Sequence, residues 1–192
     1  AASTPLSNFE ANMDYRDVED PSIYFTLDAR DNYKKIIKGD KFLVWTTTPW
    51  CIPGNLAIAV GKEIEYSRIS IKNNFYWIAT DRLFEMKDHE IEIVDVSYGK
   101  DLIGATYIPA YNEYEHLFND GAFRIIHSDD TNTESGSGLV SQAPAYGESD
   151  FYALKNANID VIADPVTLSG RFDSTFKELN GLNVKDADKL IM

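Results

Sequence analysis

The feature that most constrains the fold is a succession of short apolar segments, each bounded by glycine, proline, asparagine or aspartate. These strand-like segments are 23–27, 41–46, 56–60, 65–71, 75–79, 90–96, 104–109 and 122–127, with a shorter one at 139–140. Helical patterns are confined to 81–88, 148–156 and 185–191. The absence of alternating strands and helices and of a long internal repeat argues against parallel α/β and solenoid folds. We therefore predict a mainly β fold with peripheral helices (α+β), built as a closed, mostly antiparallel β-barrel.

The connections between these segments carry their own turn signals. Asn73 and Asn74 separate the fourth and fifth segments, and asparagine tolerates the positive φ of a tight hairpin turn. The segments 110–120 and 129–138 are predicted to be loops.

The charge balance limits the partners. The 192 residues include 18 Lys and Arg against 31 Asp and Glu, so the formal net charge is −13. Binding to a nucleic-acid backbone over an extended surface requires clustered Lys and Arg side chains. No apolar run is long enough to span a bilayer. We expect neither DNA nor a membrane as a partner.

Cysteine and histidine usage limits the chemistry. Cys51 is the only cysteine, which excludes an intramolecular disulfide and a cysteine-rich zinc site and fits a reducing cytosol. The three histidines, His89, His116 and His127, do not have metal-ligand spacing. We predict a cytoplasmic protein with no metal site.

The chain divides into three parts. Residues 1–22 are polar and acidic, which predicts an arm or linker; residues 23–184 form the barrel domain; residues 185–192 begin a helix. The first residue is not Met and the last lies within a helical pattern, so we expect an excised piece of a longer protein.

The first unusual segment spans 45–55 and reads W-T-T-T-P-W-C-I-P-G-N. Three hydroxyl residues, Thr46, Thr47 and Thr48, end a strand and run into a loop stiffened by Pro49 and Pro53. Threonine is common in edge strands, so a structural role is one explanation. The other is a rigid frame of donors that orients a carbonyl group or a water molecule for attack.

The second unusual segment spans 136–150 and reads G-S-G-L-V-S-Q-A-P-A-Y-G-E-S-D. Its G-S-G start is a weak phosphate-loop signal because no Walker lysine follows, and a tight turn is favoured. Asp150 lies at a helix start, where it either caps the helix or binds a substrate ammonium group. Ser141 and Cys51 lack a neighbouring base, so a covalent mechanism is disfavoured relative to hydrolysis by water or plain binding.

Both segments resemble the signatures of one family. Residues 46–55 resemble T-T-T-P-W-T-x-P-A/G-N of the editing domain inserted in class I isoleucyl-tRNA synthetases, which valyl and leucyl enzymes share in looser form. Residues 136–150 resemble its second signature, G-T-G-x-V-H-x-A-P-x-x-G-x-x-D. Residues 6–10 resemble the linker leading into that domain, 104–109 its G-x-x-Y-x-P segment, and 184–189 its exit helix. The last similarity favours the isoleucyl over the valyl branch.

The resemblance implies post-transfer editing, in which the ester of misacylated Val-tRNA(Ile) is hydrolysed because one missing methylene cannot be rejected by binding alone. It assigns the α-ammonium of the substrate to Asp150. It assigns the ester, the terminal ribose and the attacking water to Thr46, Thr47 and Thr48, with no metal or covalent intermediate. The implied pocket residues are Trp50, Asn55, Ser141, Ala143, Ala145 and Tyr146.

The resemblance also implies the surroundings of the domain. Its partners would be the 3′ end of misacylated tRNA and the rest of the parent synthetase. The domain itself would need no cofactor, since ATP and Mg²⁺ belong to the synthetic domain, whose H-I-G-H and K-M-S-K-S signatures are missing from this chain.

Two residues depart from the family pattern. Ser141 replaces a histidine that helps to exclude the cognate isoleucyl ester, and Cys51 replaces a threonine. Retained hydrolysis is favoured because Asp150 and the three threonines are present. The alternatives are a degenerate domain that binds the aminoacyl-adenosine end without hydrolysis, a valyl-type editing domain, and a barrel with a structural role only.

Overall fold

The computed structural model describes residues 21–192 and contains eight strands, three α-helices and three 3₁₀ turns in that range. The strands are β1 (Ile23–Asp28), β2 (Lys41–Thr46), β3 (Ala57–Val60), β4 (Glu65–Ile71), β5 (Asn74–Ala79), β6 (Glu92–Tyr98), β7 (Arg124–His127) and β8 (Val140–Gln142). The helices are α1 (Gly99–Leu102), α2 (Glu148–Asn156) and α3 (Val184–Ile191). The 3₁₀ turns are Pro49–Gly54, Thr80–Met86 and Glu115–Asp120.

All eight strands belong to one mixed sheet. Its order is β6-β4-β5-β2-β8-β3-β7, and β1 pairs with β2 beside this path. The pairs β1–β2, β3–β8, β4–β5 and β4–β6 are antiparallel, whereas β2–β5, β2–β8 and β3–β7 are parallel. The mainly β class is confirmed, and four of these seven strand pairs are antiparallel, so the arrangement is mostly antiparallel as predicted. The three parallel pairs were not predicted. An apolar segment does not encode the direction of a distant partner, and every parallel pair joins strands that are not consecutive in the chain.

The segment 104–109, predicted as a strand, does not form a regular strand. The segment makes single bridges on its two sides, from Thr106 to Arg124 and from Tyr107 to Ala29. The Tyr107 amide donates to the backbone carbonyl of Phe123, next to β7, at 2.9 Å. The Ile108 amide donates to the backbone carbonyl of Asp28, in β1, at 2.9 Å. The regular ladders therefore form a half-barrel, and this irregular segment connects β1 to β7 in place of a strand.

The local predictions vary in success. Lys72 and Asn73 both have positive φ, 49° and 66°, so β4 and β5 form a two-residue hairpin as predicted. The helix at 148–156 is confirmed, and that at 185–191 begins one residue earlier because Asn183 caps it by accepting from the Lys185 amide at 3.1 Å. The helix predicted at 81–88 is a 3₁₀ turn. The loop predicted at 110–120 contains another. Residues 1–20 of the predicted arm, which include the linker-like 6–10, lie outside the described residues.

The largest apolar cluster fills the space enclosed by the sheet. Its largest side chains are Phe42, Tyr66, Trp77, Tyr107 and Phe123, all nearly inaccessible to solvent. Aromatic side chains of this size contribute much of the hydrophobic free energy of a core. The strands that bear the two unusual segments are thereby held rigidly. Every helix within residues 21–192 is too short or too polar to traverse a bilayer.

A buried ion pair crosses this core. The Asp40 carboxylate accepts from Nε and Nη2 of Arg68 at 2.8 and 2.7 Å and from Nε1 of Trp77 at 3.0 Å. Asp40 is 2% exposed and Arg68 5%. The Arg68 guanidinium also lies 4.0 Å from the centre of the Phe75 ring. The Asp40 carboxylate also accepts from the Ile37 amide at 3.0 Å, and these four hydrogen bonds offset the cost of burying its charge.

A second, smaller cluster lies beside the first unusual segment. Phe172, Phe176, Leu179 and Ala187 form it, and Trp50 packs against it. Helix α3 is thereby held against the turn Pro49–Gly54.

Candidate active site

The three threonines do not share one environment. Thr46 ends β2 and is 8% exposed, and its Oγ1 accepts from the Thr48 amide at 3.1 Å. The hydroxyl of Thr48 lies 3.4 Å from that of Thr46, whereas Thr47 between them is exposed. A hydroxyl that accepts from the amide two residues on is a local turn motif. The structure thus brings together Thr46 and Thr48 and leaves Thr47 on the surface.

The chain then enters the 3₁₀ turn Pro49–Gly54, where the sequence predicts a loop. The fixed φ of Pro49 suits the first position of a helical turn. The Trp50 ring packs against the Tyr146 ring with 4.9 Å between centroids, so residues of the two motifs are in contact. The Tyr146 hydroxyl is buried near Asp164, and its pKa is raised chiefly by burial.

Asn55 and Ser141 form a hydrogen-bonded pair. Asn55 is buried, and its Nδ2 donates to the Ser141 hydroxyl at 2.9 Å and to the Ala57 carbonyl at 2.8 Å. The Tyr107 hydroxyl donates to Asn55 Oδ1 at 2.6 Å, which fixes the orientation of the amide. Because Ser141 accepts from Asn55, its own proton is directed elsewhere. The serine that replaces the family histidine is therefore an acceptor for Asn55, with a hydroxyl proton that can donate to another group.

Asp150 lies in the first turn of α2, and the residue that caps this helix is Gly147. The N-cap role considered for Asp150 is therefore wrong. Its Oδ2 accepts from the Ala143 amide at 2.8 Å, which ties the end of the second motif to its middle. A Cβ at Gly147 would lie 2.9 Å from the Asp150 carboxyl carbon, which accounts for the glycine at that position. Burial raises the pKa of Asp150, and nearby Asp130 acts in the same direction.

The G-S-G segment is a tight turn, as the sequence favoured. Gly136 and Gly138 have φ of 67° and 77°. Their carbonyl groups accept from the protein itself, at 2.7 Å from Arg82 Nε and at 2.7 Å from the Tyr66 hydroxyl. A Cβ on Gly136 would lie 2.5 Å from the Trp45 indole. This turn lets the second motif approach the first.

The two motifs meet through the β2–β8 pair. Trp45 is in parallel register with Val140, and its amide donates to the Leu139 carbonyl at 3.0 Å. This pairing places Thr46 beside Ser141 at the same end of the two strands. Ala143 is buried and Ala145 half-buried in the loop that follows β8.

Cys51 is buried and interacts with the Thr48 side chain and with the charge of Asp150. Burial raises the pKa of its thiol to about 11, with further contributions from the Thr48 side chain, which lowers it, and from the Asp150 charge, which raises it. A thiol with this pKa is neutral at physiological pH and is a poor nucleophile. A neutral thiol fits the predicted hydrolysis by water, in which Cys51 forms no covalent intermediate.

Replacement of Cys51 by serine or threonine is expected to leave any hydrolytic activity within about threefold of the wild type, since a neutral buried thiol supplies no reactive thiolate. Alkylation of the wild-type chain by iodoacetamide at neutral pH is expected to be slow for the same reason. An activity loss above about 100-fold in Cys51→Ser, with the fold intact by circular dichroism, would restore Cys51 as a nucleophile.

A cavity of about 740 Å³ borders the second motif but not the first. It is lined by β7, by the loop that follows it and by the outer side of α2, and it includes Ser149 beside Asp150 but none of the three threonines. Within residues 21–192, no group of three or more His, Cys, Asp or Glu side chains is arranged to hold a metal ion.

Two residues of this region were not predicted from the sequence. Tyr107 lies in the segment 104–109, which resembles a segment of the family, but the resemblance assigns it no role. Asp188 accepts from the Trp50 amide although the two are 138 residues apart. Neither has a local signal, because each contact arises from tertiary packing.

No protein-family model matches the chain. It is 41% identical over 193 residues to an isoleucine–tRNA ligase of Protochlamydia amoebophila, which covers 98% of the chain and 18% of that protein. It is 36% identical over 200 residues to the cytoplasmic isoleucine–tRNA ligase of Saccharomyces cerevisiae, with 99% and 18% covered. The chain is homologous to one segment of isoleucine–tRNA ligases. It spans less than one fifth of the length of these ligases.

Solved structures with the same fold come from leucyl-tRNA synthetases. The GlLeuRS-CP1 structure superposes with a TM-score of 0.64 at 13% identity over 89% of this chain and 94% of its own. The editing domain of the cytosolic leucyl-tRNA synthetase of P. knowlesi superposes with a TM-score of 0.61 at 9% identity over 79% and 80%. The family resemblance inferred from the two motifs and the mainly β fold inferred from the strand-like segments are confirmed. The comparisons do not test the domain boundaries at residues 22 and 184 or the roles of the individual site residues, which stay predictions.

Proposed function

We propose that this chain is the post-transfer editing domain of an isoleucine–tRNA ligase and that it hydrolyses the ester of misacylated Val-tRNA(Ile). The observation that carries the proposal is the convergence of Asp150, Ser141 and the Thr46–Thr48 pair from two distant motifs within the fold of synthetase editing domains. The isoleucine–tRNA ligase homologues favour this branch over the valyl-type alternative.

Asp150 is the group that binds the substrate ammonium in this proposal. One carboxylate oxygen is held by the Ala143 amide, while the other has only the long 3.4 Å contact from the Ser149 hydroxyl. This second oxygen is therefore available for a charge-assisted hydrogen bond. Fixing the amino group also fixes the adjacent ester carbon.

The hydroxyl groups position the reactants. Thr46 and Thr48 hold the attacking water and the terminal ribose, and the Ser141 hydroxyl donates to the acyl group. The water oxygen bonds to the ester carbon and the bond from that carbon to the ribose oxygen breaks. The leaving ribose oxygen takes up a proton given by the attacking water and becomes a hydroxyl group. Positioning and fixed donors supply the rate enhancement. Hydrolysis of this kind needs no metal, cofactor or covalent intermediate.

The charge of −13 suits a domain that recognises only the aminoacyl-adenosine end of tRNA. The rest of the ligase would bind the body of the tRNA, and ATP with Mg²⁺ would serve the synthetic reaction elsewhere in that ligase. A cytoplasmic location follows from this role.

The test is deacylation of Val-tRNA(Ile) and Ile-tRNA(Ile), followed as release of labelled amino acid by the chain and by its parent ligase. We expect valine to be released faster than isoleucine. Hydrolysis of neither substrate by either protein, combined with measurable binding of the aminoacylated end, would establish the non-hydrolytic alternative. Neither hydrolysis nor binding would indicate a structural role only.

Substitution of Ser141 by histidine is expected to raise the ratio of valine to isoleucine release by about tenfold, because the larger ring fills space that the extra methylene of isoleucine requires. Ser141→Ala is the matched control, since it adds no bulk and removes the Asn55 contact. An unchanged ratio in Ser141→His would exclude this position from discrimination.

A further inference from the structure

The backbone amide of Trp50 is held by a residue from the far end of the chain. It donates to Asp188 Oδ1 at 2.8 Å. Asp188 lies on α3 and is 4% exposed, and α3 packs against the turn that contains Trp50. A carboxylate is thus buried against the backbone of the first motif.

The turn needs such an acceptor because the first amide groups of a helical turn have no partner within it. Pro49 has no amide hydrogen, so Trp50 presents the first one. The residue before the turn, Thr48, is of the type that normally accepts this bond with its own side chain. Thr48 makes no such bond.

The Thr48 hydroxyl is engaged on the other side. It lies 3.4 Å from the Thr46 hydroxyl and interacts with the Cys51 thiol. If it turned to cap the Trp50 amide, it would leave Thr46. Thr48 therefore serves either the turn or the site, and the Asp188 contact determines which.

We propose that Asp188 is a positioning residue, which takes over the capping of the Pro49–Gly54 turn and so keeps the Thr48 hydroxyl available to the ester or the attacking water. This role rests on the proposed function for the identity of the substrate. The hydrogen bond itself is independent of it.

Asp188→Ala is expected to lower kcat for deacylation of Val-tRNA(Ile) by about tenfold with little change in KM, because Thr48 is misdirected while Asp150 still binds the ammonium group. Asp188→Asn keeps an oxygen acceptor and should stay within about threefold of the wild type. Asp186→Ala, on the exposed side of the same helix, is the matched control and should have no effect. A rise in KM alone, or an equal loss in Asp188→Asn and Asp188→Ala, would overturn the positioning role.

A double-mutant cycle tests whether Asp188 acts through Thr48. In a Thr48→Val background, which lacks the hydroxyl, Asp188→Ala should cost little further activity. If the activity loss of the double variant equalled the product of the two single-variant losses, Asp188 would not act through Thr48 and the positioning mechanism would be overturned.

Amide hydrogen exchange of Trp50, followed by NMR, needs no substrate. We expect protection in the wild type, partial protection in Asp188→Ala, where Thr48 replaces the cap, and its loss in the combined Asp188→Ala and Thr48→Val variant. Equal protection in all three proteins would overturn the capping role. Failure of the wild-type chain and parent ligase to deacylate any aminoacyl-tRNA, with this exchange pattern intact, would overturn the proposed function only.

Discussion

Asp150→Ala is expected to reduce deacylation of Val-tRNA(Ile) by about 10²–10³-fold, since truncation of one partner of a buried charge pair leaves the substrate ammonium desolvated and unpaired. Asp150→Asn should lose nearly as much activity, although it can still accept from the Ala143 amide. The measurement is single-turnover release of labelled valine. Glu148→Gln, an exposed acidic residue of the same helical turn, is the control and should behave as the wild type. Activity within about threefold in Asp150→Asn would contradict the proposed contact.

The raised pKa of Asp150 gives this prediction a pH dependence. The ionised carboxylate is needed for ammonium binding, so activity should fall with decreasing pH at values above the ordinary range of aspartate. The effect of this ionisation on the stability of the fold has the opposite pH dependence. A carboxyl group whose pKa is raised by folding stabilises the fold below its unfolded pKa, and this contribution is lost as the pH rises through the folded value. Asp150→Asn should therefore be at least as stable as the wild type at pH 7 by thermal unfolding.

Asp40→Ala is expected to lower the free energy of unfolding by about 3–5 kcal/mol, the effect typical of removing one partner from a buried ion pair. Arg68 and the Trp77 indole would keep their desolvation cost and lose their acceptor. Urea unfolding at neutral pH measures the change. The control is Asp101→Ala, whose 3.3 Å pair with Lys34 is exposed and should contribute less than about 1 kcal/mol. A loss below about 1 kcal/mol for Asp40→Ala would show that water compensates the pair.

Features determined by neighbouring residues were predictable from the sequence. The Lys72-Asn73 turn, the helix over 148–156 and the tight turn at Gly136 and Gly138 each depend on local backbone preferences. Features determined by distant partners were not. The sequence pattern does not show that Arg68 pairs with Asp40, or that 104–108 bridges two strands without forming one itself.

The candidate site shows the same division. The resemblance selected Thr46, Thr48, Ser141 and Asp150, and the β2–β8 pair brings their motifs together. It also selected Thr47, whose side chain is exposed and whose role in the site stays a prediction. Asp188 was missed because a single carboxylate on an amphipathic helix is indistinguishable from a solvated one until packing buries it.

The position of β2 has a kinetic consequence. This strand pairs with β1 near it in the chain, with β5 further on, and with β8 only after residue 140. Contacts across such sequence separations form slowly, because loop closure must precede them. During synthesis, the β1–β2 and β4–β5 hairpins can form while the second motif is still untranslated. The candidate site is thus among the last parts of the domain to assemble, so the two motifs should meet well after the first strands of this domain have folded.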